Sequence, residues 1–191
     1  MDLVLREPTA GDAPAVGQIL FTAFKAIAEQ HGFPPDFPSA AVATGLLGGL
    51  LEHPGFYGVV AELDGRVVGS NFLDERSQIT GLGPITVDPA VQNKSIGRRL
   101  MDHALARVRE HHRPGVRLLQ ATYHNRSLCL YTKLGFDTRA LLSNIQGPRL
   151  NLTVPGYDVR QATTDDVDAC NALCVQVHGH DRHGELVDAV S

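Results

Sequence analysis

The chain has 191 residues, enough for one substantial buried core or for one complete domain and part of another. Hydrophobic residues make up 43% and charged residues 20%, which excludes a disordered chain, and a formal charge of -4 argues against a broad nucleic-acid footprint. No apolar run approaches the ~20 residues of a membrane span and no basic-then-apolar leader opens the chain; its three cysteines, an odd number, build no disulfide framework, so a reducing cytoplasm is expected.

In chain order, Leu3 to Arg6 reads as a first strand, followed by the turn Thr9-Ala-Gly-Asp12, whose Thr or Asp can cap a helix from Pro14 to about Gln30. Val16, Ile19, Leu20, Ala23 and Ile27 lie on one face of that helix. The proline-rich stretch from Gly32 to Pro38 breaks it, and a second helix runs roughly from Ser39 to Glu52. Tyr57 to Leu63 and Arg66 to Leu73 are apolar runs joined by Asp64-Gly65, a strong hairpin signal. Ser77 to Val87 is a third strand interrupted at Gly81 and Gly83-Pro84, where a bulge and free backbone donors are expected.

The stretch from Gly83 to Arg99 is the piece the chain is organised to present. A β-branched strand end (Ile85, Thr86, Val87) breaks at Asp88-Pro89, passes a polar loop, and enters a helix with Ile96, Leu100, Ala104 and Val108 on one face. The first turn of such a helix aims unpaired amides and partial positive charge outward, which favours a phosphate, and Lys94, Arg98 and Arg99 bring cations to the same point. Asn93-Lys94-Ser95 looks faintly like the end of a P-loop, but that motif needs glycines where this chain has Asp88 and Asn93. Ser95 either caps the helix or sits strained in a left-handed conformation at about 1 kcal/mol.

The helix from Ser95 ends near His112, Val116 to Ala121 forms the next strand, and His124 to Phe136 follows as a short helix. Asn125 can cap that helix, Leu128 and Leu134 face inward, Gly135 permits a left-handed exit, and Cys129 reads as small core packing. Phe136 to Ile145 and Arg149 to Val154 are strand-like, with Gln146-Gly147-Pro148 as the turn between them.

Two segments carry a family resemblance. Gln92 to Gly97 resembles the pyrophosphate loop of the general N-acetyltransferase (GNAT) superfamily, Gln/Arg-x-x-Gly-x-Gly/Ala, departing from it at Ser95. Asn125, Ser127, Tyr131, Gly135 and Phe136 resemble its second motif, Asn-x-x-Ser/Ala-x-x-Leu/Phe-Tyr-x-x-x-Gly-Phe, in register from Ser127 onward and with Asn125 one residue nearer to the serine. The resemblance implies an α+β fold with a mixed, mostly antiparallel sheet, a bulged central strand splayed from its neighbour, and helices on both faces. It implies acetyl-CoA as co-substrate, no metal, and direct attack of an amine on the thioester without a covalent enzyme intermediate.

Carried over residue by residue, the backbone of Ile85, Thr86 and Val87 holds the pantetheine arm, with the Ile85 N–H as oxyanion donor. Gln92, Asn93, Lys94, Ser95, Ile96, Gly97 and Arg98 hold the pyrophosphate, Asn125 and Ser127 touch the cofactor, and Tyr131 protonates the leaving thiolate. The family's usual glutamate base falls on Gly81, and Glu75 is the substitute candidate. The helix pair with His31, Phe33, Phe37, His53 and Phe56 corresponds to the acceptor-side wall, without assigned roles. The acceptor, a small-molecule or peptide amine, is not written in the sequence, and a CoA-binding module without turnover is the rival reading.

Arg160 to Asp166 repeats Arg6 to Asp12 at an offset of 154, which resembles the opening of a second GNAT unit in a tandem protein. The expected division is an acetyltransferase domain over residues 1–154 and an incomplete second repeat over 155–191. The tail helix carries an apolar face (Val167, Cys170, Leu173, Cys174, Val177) that needs cover, from the first domain or from a second copy in a homodimer. His178, His180 and His183 are expected in a solvated loop.

Overall fold

The computed structural model describes residues 2–145, 147–148 and 150–191. One sheet runs in the order β1 (Leu3–Arg6), β2 (Phe56–Leu63), β3 (Arg66–Asp74), β4 (Ile79–Leu82), β6 (Gly115–Arg117), and β5 (Thr86–Val87) also pairs with β3. All pairs are antiparallel except β4 with β6. The mixed, mostly antiparallel sheet expected from the motifs is the one formed. The β2–β3 hairpin turns at Asp64 (φ 49°) and Gly65 (φ 82°), both left-handed, as a two-residue hairpin requires.

Side chains alternate across β2 and β3 and supply two cores. Val60 and Phe72 join Val16 and Leu20 of α1 (Ala13–Gln30) and Ala43 and Leu47 of α2 (Ala40–Glu52) on one face. Val59, Ala61, Val68 and Leu73 face α3 (Ile96–Glu110), where Ile96, Leu100, Met101, Ala104 and Val108 form the buried stripe. α1 is entered through a capping box in which Asp12 accepts from the Thr9 amide (2.7 Å) and hydroxyl (3.0 Å), while Arg6 grips the same carboxylate at 2.8 and 2.9 Å. Ser39 caps α2, accepting from the Val42 amide at 3.3 Å.

The third strand breaks as its glycines and proline predict. Leu82 stands opposite Leu73 and Thr86 opposite Ser70, so three residues (Gly83, Pro84, Ile85) span the place where β3 has two. β6 follows β4 in parallel only from Gly115 to Arg117, beside Ile79 to Gly81, so it is three residues long rather than the six expected from Val116 to Ala121. Its partner turns away at the bulge. α4 (Asn125–Lys133) then closes on the gap between the diverging strands.

Two further expectations are corrected. Among the described residues, 136–145 and 150–154 contain no strand, and Leu141, Leu142, Ile145, Leu150 and Leu152 are each more than two-thirds exposed. A strand-like pattern needs an edge to pair with, and β6 offers three residues; Gln146 and Arg149, which bounded the expected turn, lie outside the described residues. Cys129 is exposed on the outer face of α4 rather than packed in the core.

The tail forms α5 (Val167–His178) and α6 (His183–Val190). Its entrance repeats the entrance to α1: Arg160 grips Asp166 at 2.6 and 2.7 Å, and Asp166 accepts from the Thr163 amide (2.8 Å) and hydroxyl (3.1 Å). α6 lies against the β3–β4 turn through Asp188, which pairs with Arg76 (2.8 Å) and with His53 (3.1 Å) after α2, and against the end of β6 through Glu185, which pairs with Arg117. His180 rests on Arg117 and His183 lies 3.7 Å from Asp168. Val167 is buried, whereas Leu173 and Val177 stay more than half exposed, so this chain covers only one end of the α5 face. Among the described residues no helix is long and apolar enough to cross a membrane, and no group of three His, Cys, Asp or Glu is placed to hold a metal ion.

Candidate active site

The bulge decides which backbone donors face the gap. The Asp88 amide donates to Val68 O on β3 (2.8 Å) and the Gly83 amide to Phe72 O (2.9 Å). Amide directions alternate along a strand, so counting back from Asp88 turns the Val87 and Ile85 N–H groups away from β3 and toward the gap. Without the extra residue, counting forward from Gly83 would turn Ile85 inward. The insertion is therefore what presents the Ile85 amide. Thr86 is buried, its hydroxyl 3.3 Å from that of Ser70, and the same count turns its amide toward β3, so Thr86, expected on the cofactor, does not present a donor to the gap.

At the far end of the same strand the chain makes a short turn over Pro89–Val91, capped by Asp88, which accepts from the Ala90 amide at 2.9 Å and pairs with Arg66 at 2.7 Å. Gln92 donates to Val87 O at 3.1 Å and so ties the loop to the gap. Asn93, Lys94, Ser95, Arg98 and Arg99 are exposed, while Ile96 is buried and anchors the helix start. Gly97 faces Val87 and Leu130, where an added Cβ would sit at ordinary contact distance (3.7 and 3.8 Å). The first-turn amides of α3 and the positive end of its dipole open onto this loop.

Ser95 settles one open alternative. Its backbone is left-handed (φ 61°, ψ 9°) and its side chain makes no capping bond. It thus adopts the conformation that the first glycine of the resembled loop would take freely, at a cost of about 1 kcal/mol. Ser95→Gly is expected to raise the melting temperature by about 2–4 °C without weakening acetyl-CoA binding. Calorimetry of both proteins checks this, and a lowered melting temperature would show that the hydroxyl supports the loop.

Tyr131 is buried, 8% exposed, in the cluster that includes Leu73, Leu82 and Met101, with Ile85, Val116 and Leu118 packed at its margin. It thus stands where the two strands part. Burial pushes its phenol above the ordinary value, opposed by a hydrogen bond from Ser127. The phenol consequently stays protonated at neutral pH. Ser127 Oγ lies 2.9 Å from His124 Nδ1, and burial holds that imidazole below its usual value, helped by Arg126 and His31. Asn125 opens α4 as its first residue and is exposed, with His124 rather than Asn125 at the capping position.

Glu75 is fully engaged. Arg107 reaches both of its oxygens at 2.8 and 2.9 Å, and this pair holds the carboxyl below its usual value despite partial burial. The same guanidinium lies 3.9 Å over the Tyr57 ring, and Asp74 is held by Arg76 at 2.7 Å. A carboxylate held this way is a weak proton acceptor at neutral pH.

Three participants were not found from the sequence. Arg126 bonds both Gln92 and Asn93 (3.4 Å to the latter), clamping α4 to the phosphate loop. Tyr123 stacks on Phe33 (centroids 4.7 Å, 17°) and on His31 (5.1 Å, 24°), forming an aromatic wall between α1 and the entrance to α4. His124 is the third. Of the other aromatics flanking the helix pair, Phe37 packs edge-on to Phe24 in the core and Phe56 lies under Arg76. Thr80 Oγ1 on β4 and Gln120 Oε1 beyond β6 are buried without a partner among the described residues.

Residues 54–138 match the family model of the acetyltransferase (GNAT) domain. No curated protein matches the chain. Among solved structures, it is similar to a PaiA N-acetyltransferase of Thermoplasma acidophilum in complex with coenzyme A, at 15% identity and TM-score 0.65, covering 73% of this chain and 92% of that one. It is also similar to a transcriptional regulator of Bacillus halodurans C-125 (16% identity, TM-score 0.61, 76% and 100% covered). A predicted acetyltransferase of Clostridium acetobutylicum with acetyl-CoA follows the same fold (12% identity, TM-score 0.58, 76% and 96% covered).

Proposed function

We propose that this chain, whose residues 54–138 are a GNAT acetyltransferase domain, transfers the acetyl group of acetyl-CoA to a primary amine by direct attack. The observation that carries the proposal is the strand gap: the bulge turns the Ile85 and Val87 amides outward while Tyr131 stands between the diverging strands. The Ile85 N–H is the oxyanion donor, worth a few kcal/mol in the transition state. The Val87 backbone holds the pantetheine arm, and Thr86, paired with Ser70, keeps the strand in place on β3. The loop from Gln92 to Arg98 takes the pyrophosphate on its amides, with Arg126 fixing the loop to α4 and Asn125 and Ser127 on the cofactor side of that helix.

Tyr131 is the general acid for the departing thiolate, and its protonated phenol suits that role. Glu75, occupied by Arg107, serves as an anchor between β3 and α3 and not as the base. The aromatic wall of His31, Phe33 and Tyr123 borders the acceptor side and favours an amine carried on a small or apolar body. The matched entrances to α1 and α5 support reading residues 155–191 as the opening of a second unit of the same kind, after a first over 1–154.

Calorimetric titration with acetyl-CoA, paired with a thiol-release assay over a panel of amines, tests the proposal. Binding with amine-dependent CoA release is expected. Binding without release from any amine would leave a CoA-binding module, and failure to bind would overturn both readings.

A further inference from the structure

Direct transfer leaves two protons to be placed. The attacking amine must lose one and the departing thiolate must gain one, while Glu75 is held by Arg107. A different group is positioned to do both. His124 precedes α4, is half-buried, and makes no side-chain capping bond to the helix, so capping does not explain its burial. Its Nδ1 lies 2.9 Å from Ser127 Oγ, with Nε2 farther away at 3.4 Å. Tyr131 follows Ser127 by four residues, on the same face of α4, and the Ser127 hydroxyl acts on its phenol. The three groups run from a partly exposed imidazole to the most buried side chain of that helix.

We propose, resting on the transferase reading above, that His124, Ser127 and Tyr131 form a proton relay in which His124 is the general base for the acceptor amine. In the resting enzyme Nδ1–H donates to Ser127, and the Ser127 hydroxyl donates to Tyr131. As the C–N bond forms and the C–S bond breaks, the amine proton passes to His124 Nε2 and the Nδ1 proton to Ser127. The Ser127 proton passes to the Tyr131 oxygen, and the Tyr131 proton goes to the thiolate sulfur. One proton enters the relay and one leaves, so no charge accumulates on it. The imidazole finishes in its other tautomer and resets by exchange with water.

The surroundings suit a neutral imidazole. Burial first, then Arg126 on α4 and His31 at the end of α1, disfavour the imidazolium, while the group that meets the ring nitrogen is the neutral Ser127 hydroxyl. Tyr123, between His31 and Phe33, has Asp36 as its charged neighbour. His124 thus keeps a free lone pair at neutral pH. Ser127 is a positioning residue: it touches neither amine nor thioester.

Nitrogen-15 NMR of the imidazoles in the intact chain tests the relay without turnover. The expected result at neutral pH is the Nδ1–H tautomer for His124, with the preference lost in Ser127→Ala and retained in Ser127→Thr. In kinetics, His124→Gln should lower kcat about 100-fold while leaving the acetyl-CoA Kd within about twofold. It should also remove the acidic limb of the kcat/KM profile, whose midpoint lies below about 6.5. An Nε2–H tautomer, or an acidic limb that survives in His124→Gln, overturns the relay. Failure of the unaltered chain to bind acetyl-CoA refutes the transferase reading instead, and acetyl-CoA binding with the wrong tautomer refutes the relay alone.

Discussion

Tyr131→Phe is expected to lower kcat by about 10²–10³-fold and to leave acetyl-CoA affinity nearly unchanged. The substitution removes one oxygen and nothing else. The ring keeps its place in the cluster with Leu73, Leu82 and Met101 and its tilted contact with Phe136 at 6.0 Å, so the strand gap retains its shape. What is lost is the proton for the leaving thiolate, together with the contact of the phenol oxygen with Ser127. Burial raises the phenol above its ordinary value, so the unaltered enzyme holds its acid protonated across neutral pH and loses it only on the alkaline side. The variant should therefore lack the alkaline limb of the kcat profile. A kcat within threefold of the unaltered enzyme would assign thiolate protonation to solvent or another group.

Gly17→Ala carries the largest expected effect on stability. Gly17 lies on α1 where that helix meets α2, and an added Cβ would sit 2.3 Å from Thr44 Oγ1 and 2.4 Å from Thr44 Cα. The hydroxyl could rotate, but the backbone atom cannot, so the helices must separate. Overpacking of this kind costs about 1–3 kcal/mol, or roughly 2–4 °C of melting temperature per kcal/mol in a chain of this size. Because α1 ends at His31, which stacks on Tyr123, the displacement should also raise the acceptor KM more than the acetyl-CoA KM. Adding Thr44→Ala removes only the hydroxyl clash and should restore little. An unchanged melting temperature would mean that the two helices pack less closely than described.

The fold was legible wherever the signal was local. Asp64-Gly65 marked the hairpin, Ser39 and the Thr9-Asp12 box marked helix entrances, and Gly83-Pro84 marked the break in the third strand; each of these residues sets its own backbone conformation. The Asn125 to Phe136 spacing located α4, yet the helix starts with Asn125 inside it and His124 at the cap. Long-range pairing was not legible. The strand pattern of 136–154 promised a hairpin, but forming one depends on an edge, and β6 has only three paired residues.

The same limit held at the site. Glu75 looked available because its sequence neighbours do not include Arg107, which reaches it from 32 residues away on α3. Arg126 and His124 carry no motif, and their roles follow from how α4 docks against the loop and the strand gap. Ser95 was undecided because a serine suits both a cap and, at some cost, a left-handed turn; the loop on either side made the choice. Tyr123 gave no periodic signal and takes its place from the stack with His31 and Phe33 across the cleft.

The claim on which the account turns is that one ligand spans the strand gap and the entrance to α3. Titrating the nitrogen-15-labelled chain with acetyl-CoA and following its backbone amides measures this directly. The account predicts that Ile85, Val87 and the amides of residues 95–98 shift together, with one apparent Kd. Saturable shifts at residues 95–98 with Ile85 and Val87 unmoved, or no saturable shift in either group, would contradict it.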